Sequence, residues 1–252
     1  MSLFIDFFAT LPRQGPGDRA STLRALDLVQ ADLPAVPAVL DIGCGAGAQT
    51  LDLAEALPQA RITAVDLAPE LLQKLEQQIV GRGLADRVRT LAAEMTALPA
   101  GIGPFDLIWS EGAIYIVGLD AALPHWRDHL APGGYIVFSH IAWLSPAPAA
   151  EALAYWNAAY PAIASRAQTA AQIRGLGFEI QAEFALPAQA WWDDYYTPMA
   201  QALSSLPASD EAAALAAECR AEIELFRRCG QDYGYVFWLI RPGPPDQASA
   251  QP

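Results

Sequence analysis

Positive charge is what this sequence has least of. Lys74 is its one lysine, and lysine and arginine together number 15 against 28 acidic residues, giving a formal net charge of -13. So acidic a chain repels a phosphate backbone, which excludes nucleic acid as its main partner. Long apolar runs are missing too. No uncharged stretch approaches the roughly 18–20 residues of a membrane span, so no membrane partner is expected. The start, Met1-Ser2-Leu3-Phe4-Ile5-Asp6-Phe7-Phe8, has no basic residue and carries Asp6 in its apolar part, unlike a secretory leader. Cysteine is limited to Cys44, Cys219 and Cys229, an odd set without metal-ligand spacing. Neither a disulfide framework nor a metal is expected, and a reduced, cytoplasmic location is the default. No Gly/Ser linker and no repeat divides the chain. One domain is expected over residues 1–241, with 242–252, rich in Pro, Gln and Ala, as a disordered tail.

Apolar residues are abundant. They make up 53% of the chain, enough for a large buried core. Runs at 36–42, 61–65, 88–91, 105–109 and 135–139 read as strands, and helical spacing over 18–32, 48–57, 69–80 and 119–130 falls around them. Pro69 sits at a favoured first helical position, and Pro132-Gly133-Gly134 makes a turn. Alternating strand and helix predict a doubly wound, mostly parallel α/β sheet with its core at 36–140. Further on, residues 146–175 look helical with a break at Pro161. Residues 177–186 read as a strand, 198–229 as one long or two short helices, and 233–240 as a final strand.

The core carries Val39-Leu40-Asp41-Ile42-Gly43-Cys44-Gly45-Ala46-Gly47-Ala48-Gln49-Thr50. A strand hands over to a helix through a loop almost without side chains, which lets backbone N–H groups approach a nucleotide-like ligand. Gly43-x-Gly45-x-x-Ala48 satisfies the dinucleotide fingerprint, and Asp66 lies near the roughly 20-residue offset of a ribose-binding acid. The glycines alone do not separate NAD from S-adenosylmethionine, since both present a ribose with two free hydroxyls. Asp41 favours the second cofactor. A carboxylate there suits a cationic methionine amino group, at least through water, and is poorly placed beside a pyrophosphate.

Several motifs in order resemble a class I S-adenosylmethionine-dependent methyltransferase over residues 10–241. They are Asp41-x-Gly43-x-Gly45-x-Gly47, Ala64-Val65-Asp66, Ala93-Glu94-Met95-x-x-Leu98-Pro99, Phe105-Asp106-Leu107-Ile108 and Leu130-x-Pro132-Gly133-Gly134. More narrowly, Arg13-Gln14-Gly15-Pro16-Gly17, Trp109-Ser110-Glu111-Gly112-Ala113-Ile114-Tyr115 and Tyr233-Gly234-Tyr235-Val236-Phe237 resemble a bacterial group near the ubiquinone/menaquinone-type enzymes. The resemblance implies a Rossmann-like seven-stranded sheet with an antiparallel last strand and a helical C-terminal insert, at 141–232, over the acceptor. It also implies roles. Gly43, Cys44, Gly45 and Gly47 would wrap the methionine part of S-adenosylmethionine, and Asp66 would bind the ribose, with Leu67 against the adenine. Glu94 and Met95 would meet the adenine edge, Ser110 and Glu111 would border the sulfonium, and the segment from Gly15 to Gly17 would close the pocket. Two positions depart from the group, His140 where an acid is usual and Ile116 where a polar residue is common.

Methyl transfer is an in-line displacement, and a general base is needed only if the acceptor must lose a proton. Glu111, Tyr115 and His140, at the carboxyl ends of strands four and five, are the catalytic candidates. His125 and His129 read as helix-surface residues. Tyr115, Trp143, Trp191, Tyr195 and Tyr196 are expected to wall an aromatic pocket for a small-molecule acceptor, the alternative being core packing. No acidic cluster suggests a metal-dependent site. The alternatives to a small-molecule methyltransferase are an NAD-dependent oxidoreductase and a non-catalytic S-adenosylmethionine-binding protein. A homodimer is left open.

Overall fold

The structure, a computed structural model, describes residues 3–244. Its strands are β1 (Ala38–Ile42), β2 (Arg61–Asp66), β3 (Val88–Ala92), β4 (Phe105–Ser110), β5 (Leu130–Trp143), β6 (Ala164–Ser165), β7 (Phe178–Ala185) and β8 (Tyr233–Pro242). They form one sheet in the order β3-β2-β1-β4-β5-β8-β7, with the two-residue β6 beside the end of β5. Strands β1 to β5 pair in parallel, whereas β8 runs antiparallel to both β5 and β7. The expected seven-stranded sheet with an antiparallel last strand is present, and β6 is an addition to it.

The helices are α1 (Leu3–Ala9), α2 (Arg19–Asp27), α3 (Ala48–Ala56), α4 (Pro69–Gly81), α5 (Leu119–Arg127), α6 (Ala150–Ala159), α7 (Arg166–Gly175), α8 (Ala188–Trp191), α9 (Thr197–Ala202) and α10 (Asp210–Cys229). Central strands are apolar on both faces because helices cover both. In β1, Val39 joins one buried cluster while Leu40 and Ile42 join the other. Among the described residues, no helix is long and apolar enough to cross a membrane.

Differences from the sequence reading have local causes. Helix α1 was not expected. The helix at 18–32 ends at Asp27, followed by a 3-10 turn at Gln30–Asp32. At its start, the Asp18 carboxylate accepts from the Ser21 N–H at 2.7 Å. Strand β5 begins at Leu130, opposite Phe105, so the Pro132-Gly133-Gly134 turn becomes an irregularity inside a longer strand. The same strand runs on to Trp143 because β8 pairs with it that far. Pro242 closes β8 rather than opening a tail, and residues 245–252 of the expected disordered tail lie outside the described residues.

Parallel strands place their carboxyl ends on one edge. The order reverses between β1 and β4, and the loops on either side of that switch part to leave a crevice, the usual binding place in such sheets.

Candidate active site

The glycine loop is held from three sides. The N–H groups of Gly43 and Cys44 both donate to the Val65 carbonyl, at 2.8 and 2.9 Å. Gly45 donates to Asp66 Oδ2 at 2.8 Å, and Ala46 to Gln14 Oε1 at 2.8 Å. Three glycines are required sterically, and a Cβ on Gly43, at φ +71°, would lie 2.4 Å from the Ala113 Cβ. Gly45 has φ +55°, and a Cβ there would lie 2.6 Å from Gln14 Oε1; Gly47 has φ +90°, and a Cβ there would lie 2.2 Å from Leu75. Gly47 thus shapes the start of α3 and stays outside the crevice.

Beneath the loop lies Asp41, with no solvent exposure. Its carboxylate accepts from Thr50 Oγ1 at 2.5 Å and from Gln49 Nε2 at 3.3 Å. Burial pushes its pKa up to about 7. Expected in the cofactor wall, Asp41 instead supports that wall from below, and Gln49 stands between it and the crevice.

The crevice is a cavity of about 420 Å³. Of the expected cofactor residues, Gly15, Gly43, Cys44, Gly45, Asp66, Leu67, Glu94, Met95 and Glu111 line it. Asp66, at the end of β2, accepts from the Ala68 N–H at 2.9 Å as well as from Gly45. Each carboxylate oxygen keeps a further lone pair for a ligand hydroxyl. The loop carrying Glu94 and Met95 is pinned from α5. Trp126 Nε1 donates to the Met95 carbonyl at 2.8 Å, and His125 Nε2 accepts from the Leu98 N–H at 3.2 Å. His125 is therefore a half-buried anchor rather than a surface residue. His129, just past α5, meets the Ile102 carbonyl through Nδ1 at 3.2 Å. No metal-binding group of His, Cys, Asp or Glu occurs among the described residues.

The N-terminal segment forms the roof. Arg13 Nη1 donates to Glu111 Oε2 at 3.1 Å, and Arg13 Nη2 to Asp52 Oδ2 at 2.9 Å. Glu111 Oε1 accepts from Thr22 Oγ1 at 2.7 Å and from Trp109 Nε1 at 2.9 Å. Burial raises the Glu111 pKa, and Arg13 opposes the shift. With both oxygens engaged, Glu111 clamps the segment to β4 and is poorly placed as a general base. Gly17 lies outside the cavity and leaves room for this pair, since a Cβ there would sit 3.0 Å from Arg13 Nη1. Arg13 and Gln14 line the cavity. Sequence reasoning gave neither a role, although both fall within a motif it quoted. Ser110 is fully buried, its Oγ has no hydrogen-bond partner, and it does not reach the cavity.

Of the acceptor candidates, Tyr115 alone lines the cavity. His140 is buried, and burial holds its pKa down at about 4. Its ring lies edge-on to Tyr160 at 5.8 Å, and Tyr160 lies 5.9 Å from Tyr115, so His140 sits two rings away from the crevice. Trp191 stacks between Phe226 and Tyr235, at 4.5 and 5.2 Å, in the core. Tyr195 and Tyr196 are buried on a π-helical turn at Trp192–Tyr196, and Trp143 meets Tyr233 edge-on. None of these four lines the 420 Å³ cavity; they stand behind it.

Residues 39–134 match the family described as "Methyltransferase domain". A trans-aconitate 2-methyltransferase of Streptomyces avermitilis is 40% identical over 110 residues, 42% of this chain and 40% of that protein. A malonyl-[acyl-carrier protein] O-methyltransferase of a Methylovorus species is 34% identical over 128 residues, 48% of this chain and 41% of that protein. The matched part thus spans less than half the length of these curated relatives. Among solved structures, a SAM-dependent methyltransferase from Geobacter sulfurreducens in complex with S-adenosyl-L-homocysteine superposes with a TM-score of 0.75 at 19% identity, covering 88% of this chain and 90% of that one. That likeness is one of fold.

Proposed function

We propose, from the match of residues 39–134 to the family described as "Methyltransferase domain", that this chain is an S-adenosylmethionine-dependent methyltransferase acting on a small-molecule acceptor. The charge of the cavity carries this reading. Asp66, Glu94 and Glu111 line it, against Arg13 as the single cation, and Arg13 is already engaged by Glu111 and Asp52. A pyrophosphate would meet carboxylates with no free guanidinium, whereas a ligand bearing a sulfonium and an ammonium meets attraction. The glycine cradle and the free lone pairs of Asp66 suit a ribose, and a cavity of this size falls in the range of small-molecule sites.

When bound, the cofactor supplies a methyl group on a sulfonium, already a good leaving group. The protein's part is then alignment and exclusion of water. Asp66 would accept from the ribose hydroxyls, with Leu67 and Met95 on the adenine. Gln14 and the Arg13–Glu111 clamp would hold the N-terminal segment over the site. Tyr115 would stand between cofactor and acceptor. His140 would act on the acceptor side only through Tyr160 and Tyr115. The free thiols of Cys44, Cys219 and Cys229 are at home in the reducing cytoplasm.

Calorimetry with S-adenosylhomocysteine and with NAD tests the cofactor. Binding of S-adenosylhomocysteine at least tenfold tighter is expected, and preference for NAD would refute the proposal. Release of S-adenosylhomocysteine from labelled S-adenosylmethionine, screened over amines, thiols, phenols and carboxylates, tests turnover. No release with any class would favour a non-catalytic binding protein.

A further inference from the structure

We propose that a second cavity, at the amino ends of β1 to β4, binds a small polyanion bearing phosphate or carboxylate groups. The cavity has a volume of about 450 Å³, and Arg61, Thr63, Asp86, Arg87, Arg89 and Gly103 stand in its wall. It also touches Ala38, Val88 and Phe105, the first residues of β1, β3 and β4, so it lies at the sheet edge opposite the cofactor crevice. The inference goes beyond the methyltransferase reading and does not rest on it.

One crossover without a helix leaves this space open. Helices α3, α4 and α5 join β1 to β2, β2 to β3 and β4 to β5, but residues 93–104 join β3 to β4 without one. Thr63 is in register with Leu40 on β1 and with Arg89 on β3, and register partners in a parallel sheet share a face. Arg61, two residues before Thr63, shares that face as well. Leu40 and Val65 on the same face belong to the buried cluster that also holds Leu123 and Trp126 of α5. Toward the amino ends these apolar side chains give way to Arg61, Thr63 and Arg89, where strands covered by helices carry Val, Ile or Leu. Protection of a sheet edge would explain Arg89 on the outer strand β3, but not Arg61 on β2, which is paired on both sides.

The three guanidiniums are not equally engaged. Arg87 is held by the end of α3, with Nη2 donating to the Ala54 carbonyl at 2.6 Å and Nη1 to the Leu57 carbonyl at 3.3 Å. Arg89 is held through one nitrogen, Nε donating to Thr63 Oγ1 at 3.0 Å, which leaves both its Nη groups for a ligand. Thr63, accepting that bond, keeps its own hydroxyl proton to donate. Arg61 is exposed and, among the described residues, makes no ion pair or side-chain hydrogen bond. Asp86 is the single acid of the wall, and the nearby Asp106 is engaged through Oδ2 by the Ala38 N–H at 2.8 Å. Three cations thus face one acid in a chain of net charge -13. The overall field of such a chain repels anions, so attraction here is local. Guanidinium forks bond phosphate and carboxylate oxygens in pairs, which suits a ligand carrying several of them.

Pyrophosphate and citrate, titrated calorimetrically into the full chain at constant ionic strength, test this. Binding of at least one is expected, and the tighter of the two names the anionic group. Arg61→Gln and Arg89→Gln are each expected to weaken it about tenfold, the scale of a charge-assisted hydrogen bond. Arg220→Gln, which removes an exposed cation on α10, is expected to leave it within about twofold. Binding of neither anion, undiminished binding in Arg61→Gln and Arg89→Gln, an equal loss in Arg220→Gln, or displacement of the anion by S-adenosylhomocysteine would overturn the proposal.

Discussion

Replacing Asp41 by Asn should stabilise the protein above neutral pH and not below pH 4. Asp41 has no solvent exposure, and its pKa is pushed from 3.8 up to about 7, with burial as the largest cause. An acid whose pKa is higher in the folded than in the unfolded state binds its proton more tightly when folded. Folding therefore gains most below about pH 3.8, and the gain is lost as pH rises to about 7, after which the folded state carries a buried charge. A shift of this size corresponds to roughly 4 kcal/mol. Asn carries no such charge. Its Oδ1 can accept from Gln49 and its Nδ2 can donate to Thr50 Oγ1, so the contacts survive in altered polarity. The cost of that exchange is on the order of 1 kcal/mol, a typical hydrogen bond. Asp41→Asn should accordingly gain about 2–3 kcal/mol at pH 8 and lose about 1 kcal/mol at pH 4. Urea unfolding of both proteins at half-unit steps from pH 4 to 8.5 reads the difference directly. A difference that does not vary with pH would refute the reasoning, because the buried charge would then not be what distinguishes the two side chains.

Asp66→Ala should weaken S-adenosylhomocysteine binding by about 1–3 kcal/mol in calorimetry, the scale of hydrogen bonds to a charged group, and an unchanged affinity would place the ribose elsewhere. Glu111→Gln breaks the buried pair with Arg13 and should cost about 3 kcal/mol in urea unfolding. The same variant should speed tryptic cleavage after Arg13 and Arg19, and an unaltered cleavage rate would show that the clamp does not hold the roof. His140 is held neutral by burial, so stability should fall as pH drops from about 6.5 to 4, and its ring proton resonances should titrate near 4. A midpoint near 6.5 would mean that the ring is open to solvent.

Half of the site was legible because half of it is written locally. The glycine loop, Asp66 and the Glu94–Met95 segment each sit at the end of a strand, and a parallel sheet sends all such ends to one edge. Strand order and spacing therefore suffice to bring them together. Asp41 shows the limit of this rule. The motif puts it at the end of β1, but its bonding beneath the loop comes from Gln49 and Thr50, eight and nine residues further on in α3. Helix α1 escaped for a related reason. Its short apolar run matched no clear period, and its burial depends on packing against α4 and α10.

The other half depends on pairs that no local pattern specifies. Arg13 meets Glu111 across 98 positions, and Tyr196 meets Glu222 across 26, on different elements. In the sequence Glu222 looks like any acid of an amphipathic helix, among Glu218 and Glu224. Its bond to Tyr196 exists only once α10 packs beside the π-helical turn, where Phe226 meets the rings of Trp191 and Tyr196. The aromatic residues were read as a group, and the structure divides them. Trp191 is core packing, stacked between Phe226 and Tyr235, while Tyr115 faces the cavity.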